Sequence, residues 1–248
     1  ASDVYKRQRY IVLDYDGNRL KTRCHVEISW IGHSSVRIRG REATVIIDPW
    51  DKKTFGTMSR PKAHLILNSR SGDPLSSGND QVAPAGNQTP IVFDRPGEYE
   101  ISGVQVEGYK TSESTAETDA DSEPIQAVVD GTSWFIKLEG ISIGILSGLK
   151  HALPTTGKGL FTNADVILCP IGLAEAIPQE IMVKTVREIN PSVVIPYGYD
   201  SEEDENLTAF VGAFGSSVSD TVDSLTIASK DVGPDISLQI HYLQAKLS

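Results

Sequence analysis

Between residues 26 and 47 the chain alternates apolar and polar positions. Val26, Ile28 and Trp30 are followed by a break at Gly32-His33, then by Val36 and Ile38, a turn at Gly40, and the apolar run Val45-Ile46-Ile47. Period-two alternation puts every second side chain on one face, so the segment predicts three consecutive short strands. The last ends in Asp48-Pro49, which sets a carboxylate at a strand mouth. Helical spacing replaces this pattern over residues 178–189, where Met182, Val186 and Ile189 share a face, Pro178 suits a first turn and Asn190-Pro191 stops the helix. A second helix is predicted over 201–214, with Leu207, Phe210, Val211 and Phe214 on its apolar face. Its acidic start, Glu202-Glu203-Asp204-Glu205, complements the positive end of the helix dipole. Segments 223–227 and 236–243 read as closing strands.

Residues 1–8 have no periodicity and resemble a translated adapter, so a non-native leader is expected there. Residues 9–22 read either as an extra hairpin, with Tyr10-Ile11-Val12-Leu13 and a turn at Asp16-Gly17, or as further non-native sequence. The remainder, 23–248, is expected to form a single domain, because a chain of 248 residues that is 39% hydrophobic and 23% charged can bury a substantial core. The polar segment 111–124 reads as a solvated insertion rather than a partner-docking segment.

Six stretches carry a resemblance. Trp30-Ile31-Gly32-His33-Ser34 and Ile47-Asp48-Pro49 open the series, and Arg95-Pro96-Gly97-Glu98-Tyr99-Glu100 and 140–146 continue it. Residues 164–172 and 191–196 complete it. Their order resembles the metallo-β-lactamase superfamily, in particular its small hydrolases similar to ascorbate-6-phosphate lactonase, over roughly residues 26–243. The resemblance implies an α/β (α+β) fold, a four-layer αββα sandwich of two mixed β-sheets flanked by helices.

In that family a His-x-His-x-Asp-His turn follows a Leu-Ile-Leu strand and supplies metal ligands. Here the same frame holds Ser69-Arg70-Ser71-Gly72-Asp73-Pro74, in which only Asp73 survives. The family's bridging Asp aligns with Gly148 and its last His with Gly198, and no histidine follows the Gly-Glu-Tyr strand through residue 124. A catalytic zinc needs several imidazole or carboxylate ligands at about 2 Å and an open position for water. The five histidines, His25, His33, His64, His151 and His241, all lie outside the ligand frame. No metal is therefore expected, although zinc serves the family.

A weaker site could draw on His33, Asp48, Asp73 and His151, which the resemblance places near one mouth of the sandwich. Ser69, Arg70, Ser71, Glu98, Gly148 and Gly198 are expected to line the same pocket. Structural roles compete with each assignment: His33 satisfying backbone groups in a turn, Asp48 accepting from loop amides, Asp73 capping a turn, His151 standing exposed, and Arg70 in a salt bridge with Asp48 or Asp73. Three functions follow. The leading expectation is a catalytically inactive homologue with a binding or structural role, whose partner is a small molecule or a protein. The others are a divergent metal-dependent hydrolase of a small phosphorylated or lactone-like substrate, and metal-independent acid/base chemistry through Asp48 or Glu98.

A net charge of -10 and the lack of a long run of basic residues argue against nucleic-acid binding. No apolar stretch approaches the roughly 20 residues of a membrane span, so no membrane role and a cytoplasmic location are expected. Cys24 and Cys169 read as ordinary buried thiols.

Overall fold

The computed structural model describes residues 24–111, 131–149, 151–173, 176–216 and 220–246. The leader and hairpin expected at 1–22, and all but the first residue of the polar segment 111–124, lie outside the described residues.

In chain order the strands are β1 (His25–Gly32), β2 (Ser35–Arg39), β3 (Thr44–Ile47), β4 (Lys62–Ala63), β5 (Leu65–Leu67), β6 (Ala83–Pro84), β7 (Ile91–Phe93) and β8 (Gly97–Ile101). They continue as β9 (Val104–Lys110), β10 (Thr132–Leu138), β11 (Ile141–Ile145), β12 (Val166–Pro170), β13 (Val193–Tyr197), β14 (Leu225–Ala228) and β15 (Gln239–Ile240). The helices are α1 (Lys52–Phe55), α2 (Thr155–Phe161), α3 (Gln179–Ile189) and α4 (Glu205–Ala213). One sheet has the order β14-β1-β2-β3-β5-β7 and the other β15-β13-β12-β11-β10-β9-β8, with β4 and β6 as a separate pair. Both large sheets are mixed: antiparallel meanders give way to parallel pairs at β3-β5-β7 and at β11-β12-β13-β15. The architecture is the expected metallo-β-lactamase sandwich.

The alternation seen in the sequence decides which face is buried where. Val26, Ile28 and Trp30 of β1, Val36 and Ile38 of β2, and Val45 and Ile47 of β3 join the main core with Val104, Val106, Trp134 and Ile136 of the opposite sheet. Ile31, Ile46 and Ile66 have the other parity, and they pack on the outer face with Trp50, Met58, Ala63 and Val82. The cover on that side comes from the segment between β3 and β6, which holds only the four-residue α1 and two 3₁₀ turns. Helix α3 buries Met182, Val183, Val186 and Ile189, and α4 buries Leu207, Phe210 and Val211.

Four elements depart from the sequence reading. The helix predicted over 201–214 begins at Glu205 because Asp204 takes the N-cap position, its carboxylate accepting from the amides of Asn206 (2.7 Å) and Leu207 (3.4 Å). The closing strand predicted over 236–243 is only the two residues Gln239–Ile240, paired in parallel with β13. Helix α2 escaped prediction, since Gly157 and Gly159 lower its propensity; close packing explains the first, because a Cβ on Gly157 would lie 2.7 Å from the Tyr109 ring. Finally, Cys169 is buried but Cys24, just ahead of β1, is exposed.

Candidate functional site at the mouth of the sandwich

Parallel strands β3, β5, β11 and β13 all end at one mouth, and the residues that follow or close them meet there. Asp48 comes from the end of β3, Ser69 and Arg70 from the end of β5, Ser147 and Gly148 from the end of β11, and Tyr197 closes β13. Asp48, Ser69, Arg70, Ser147 and Tyr197 are all buried. The Asp48 backbone holds a left-handed φ of 43°, uncommon for a residue with a side chain, and its N–H donates to the Leu67 carbonyl at 3.0 Å. Its carboxylate accepts the Ser69 amide at 2.5 Å. The hydroxyls of Ser69 and Ser147 hydrogen-bond each other across the two sheets.

Burial pushes the Asp48 carboxyl up to about 6, against the opposing pull of the Ser69 amide, the Ser69 and Ser147 hydroxyls and the Arg70 charge. Burial likewise holds the Tyr197 phenol well above its ordinary value, with the Asp48 charge adding to the effect. The Ser147 hydroxyl, next to the phenol, opposes that rise. Arg70 donates to the Asp73 carboxylate at 3.3 Å. Asp73 also caps the 3₁₀ turn at 74–76, accepting from the Leu75 amide at 2.8 Å.

Backbone closes the space between the sheets. The Thr132 amide donates to the Ser69 carbonyl at 2.8 Å, and Arg70 and Gly131 form an antiparallel bridge. Thr111 then locks the loop after β11, its hydroxyl donating to the Gly148 carbonyl at 2.5 Å. The consequence falls on Gly148, the residue that the sequence resemblance aligns with the family's bridging carboxylate. A Cβ on Gly148 would lie 2.4 to 2.6 Å from the backbone of Thr132, a separation that real side chains do not show. Gly198, which the resemblance aligns with the family's last histidine, has a φ of 85°, and a Cβ there would meet the Leu173 side chain at 2.8 Å.

The other candidates do not converge on Asp48. The His33 ring packs on Trp50 (4.9 Å between centroids) and Phe55 (5.0 Å) at the edge of the mouth, and burial lowers its pKa against the Asp200 charge. Ser71 and His151 are exposed. Glu98 is exposed on the edge strand β8, opposite Glu107 of β9, and lines a surface groove with Lys137 that includes none of Asp48, Ser69, Arg70, Ser147 or Tyr197. Ser147 and Tyr197 went unnoticed in the sequence, although each directly precedes a glycine aligned with a lost ligand.

A zinc site of the family's kind does not fit these residues. Serine, glycine and proline stand in most ligand slots, and among the described residues no three His, Cys, Asp or Glu side chains come together as a metal group.

Fold and motif order together define a class. The chain belongs to the β-lactamase superfamily: the model of the Beta-lactamase superfamily domain matches residues 27–198. A protein from Thermotoga maritima, assigned as a Zn-dependent hydrolase of the metallo-β-lactamase superfamily, is 20% identical, with 88% of this chain and 100% of that chain covered at a TM-score of 0.65. A structure assigned as a metal-dependent hydrolase from Parabacteroides distasonis is 16% identical over 88% and 94% of the two chains, TM-score 0.55. The metallo-β-lactamase fold protein YhfI from Bacillus subtilis is 11% identical over 83% and 100%, TM-score 0.56. At these identities the likeness establishes the fold alone. No curated protein matches the chain. The narrower likeness to ascorbate-6-phosphate lactonase rests on sequence motifs only.

Proposed function

We propose that this protein is a metal-free member of the superfamily, inactive as a metallohydrolase, that serves a binding or structural role. One observation carries the reading: Thr132 backbone stands where a side chain on Gly148 would have to go. A lost ligand could be regained by substitution, but an occupied space also requires the chain to move. Burial of Asp48, Ser69, Ser147, Arg70 and Tyr197 supports the same reading, since a general base or nucleophile must come within hydrogen-bond reach of a substrate. Free Cys24 and Cys169 agree with a cytoplasmic location. No helix of the described residues is long and apolar enough to cross a membrane.

Metal content tests the proposal. Protein purified without chelator, then incubated with zinc and manganese, is expected to hold substoichiometric metal by mass spectrometry in both samples. Stoichiometric zinc, manganese or iron in either sample overturns it and returns attention to a divergent hydrolase acting through His33, Asp48, Asp73 and His151.

A further inference from the structure

The outer face of the first sheet carries a second concavity, of about 460 Å³, that shares no residue with the mouth. Its lining brings together Arg37 and Arg39 of β2, Arg60 and Lys62 from the segment after α1, and Lys246. Five cations thus gather in a chain with a formal net charge of -10. Glu27 offsets one of them, its two carboxylate oxygens receiving Arg37 Nη2 at 3.0 Å and Arg39 Nη2 at 2.9 Å. The basin stays strongly positive.

Folding builds this cluster from distant pieces. Period two sets Arg37 and Arg39 on one face of β2, and a hydrogen bond from the Lys246 amide to the Trp30 carbonyl (3.2 Å) brings the last cation alongside β1. Arg60 holds a left-handed φ of 55°, a conformation that costs a non-glycine residue free energy. Arg37 Nε is buried with no hydrogen-bond partner among the described residues, leaving a charged donor unsatisfied.

We infer that this basin binds a small, multiply charged phosphate-bearing molecule. Guanidinium groups match phosphate oxygens with paired donors, and several cations around one concavity suit more than one phosphate charge. The volume lies within the roughly 300 to 1,000 Å³ of small-molecule sites. An extended polyanion would meet the net negative charge of the rest of the surface. The inference is independent of whether the mouth is catalytic.

Calorimetric titration of the whole protein with inorganic pyrophosphate, and separately with tripolyphosphate, tests it. Saturable binding that weakens with added salt is expected. The double variant R60E/K62E should bind at least about tenfold more weakly, the scale of losing one charge-assisted hydrogen bond. Both side chains are exposed, so the variant is expected to melt like the parent. R95E reverses a charge on the exposed turn between β7 and β8 and should bind as the parent does. No saturable binding of either probe overturns the inference, as does an equal loss in R95E. Binding to anionic lipid vesicles without binding to pyrophosphate would also overturn it, in favour of a membrane surface.

Discussion

Gly148→Asp, the substitution that would restore the family's bridging carboxylate, is expected to destabilise the protein by about 3 kcal/mol or more without creating a metal site. Its Cβ would stand 2.4 to 2.6 Å from the nitrogen, carbonyl carbon and oxygen of Thr132. A flexible side chain could swing aside, but this is backbone, held by the Thr132 amide on the Ser69 carbonyl at 2.8 Å and by the bridge from Arg70 to Gly131. Relief would require breaking the connection between the two sheets. Gly148→Ala separates the causes: it adds a methyl and no charge, so most of the loss should already appear there. Urea unfolding of both variants measures the effect. A Gly148→Asp protein as stable as the parent would mean that the mouth opens readily, and the closed-site reading would fail with it.

The second large effect is a pH dependence centred on Asp48. Its carboxyl is raised by burial from 3.8 to about 6, so the native state holds a proton that the unfolded chain releases. The sign follows: the contribution to stability is fully present below the unfolded value near 3.8 and is lost as pH rises through about 6. A shift of this size corresponds to about 3 kcal/mol over the whole window, and roughly half of it falls between pH 5 and pH 8. Asp48→Asn removes the titration and keeps an acceptor for the Ser69 amide. Its stability should therefore gain on the parent as pH rises from 5 to 8, by about 1 to 2 kcal/mol. Asp48→Ala should lose about 1 to 3 kcal/mol at pH 5, because the Ser69 N–H is left buried without its acceptor. Urea midpoints for the three proteins at the two pH values provide the measurement. Parallel pH profiles for parent and Asp48→Asn would show that Asp48 does not titrate in this range.

Much of this molecule could be read from residue order. Strands β1 to β3 followed from alternation, and α3 from its apolar face with Pro178 at its start and Asn190-Pro191 after it. These signals are local: each depends on neighbours within a turn or a strand, where periodicity and covalent geometry leave few options. The start of α4 was misplaced because an acidic run suits the first turn as well as the cap, and only the bonds made by the Asp204 carboxylate choose between them. The exposure of Cys24 depended on how far β1 extends, which pairing with β14 decides.

Sequence alone determined the superfamily, strands β1 to β3 and helix α3, and the residue types at the positions where the resemblance places the family's ligands. Only tertiary structure decided that backbone closes the mouth, because that depends on residues 131 and 132 of one sheet pairing with residues 69 and 70 of the other. It alone gathered Arg37, Arg39, Arg60, Lys62 and Lys246 on one face of an otherwise acidic chain. Both outcomes arise from contacts between segments far apart along the chain, and residue periodicity carries no information about which distant segments meet.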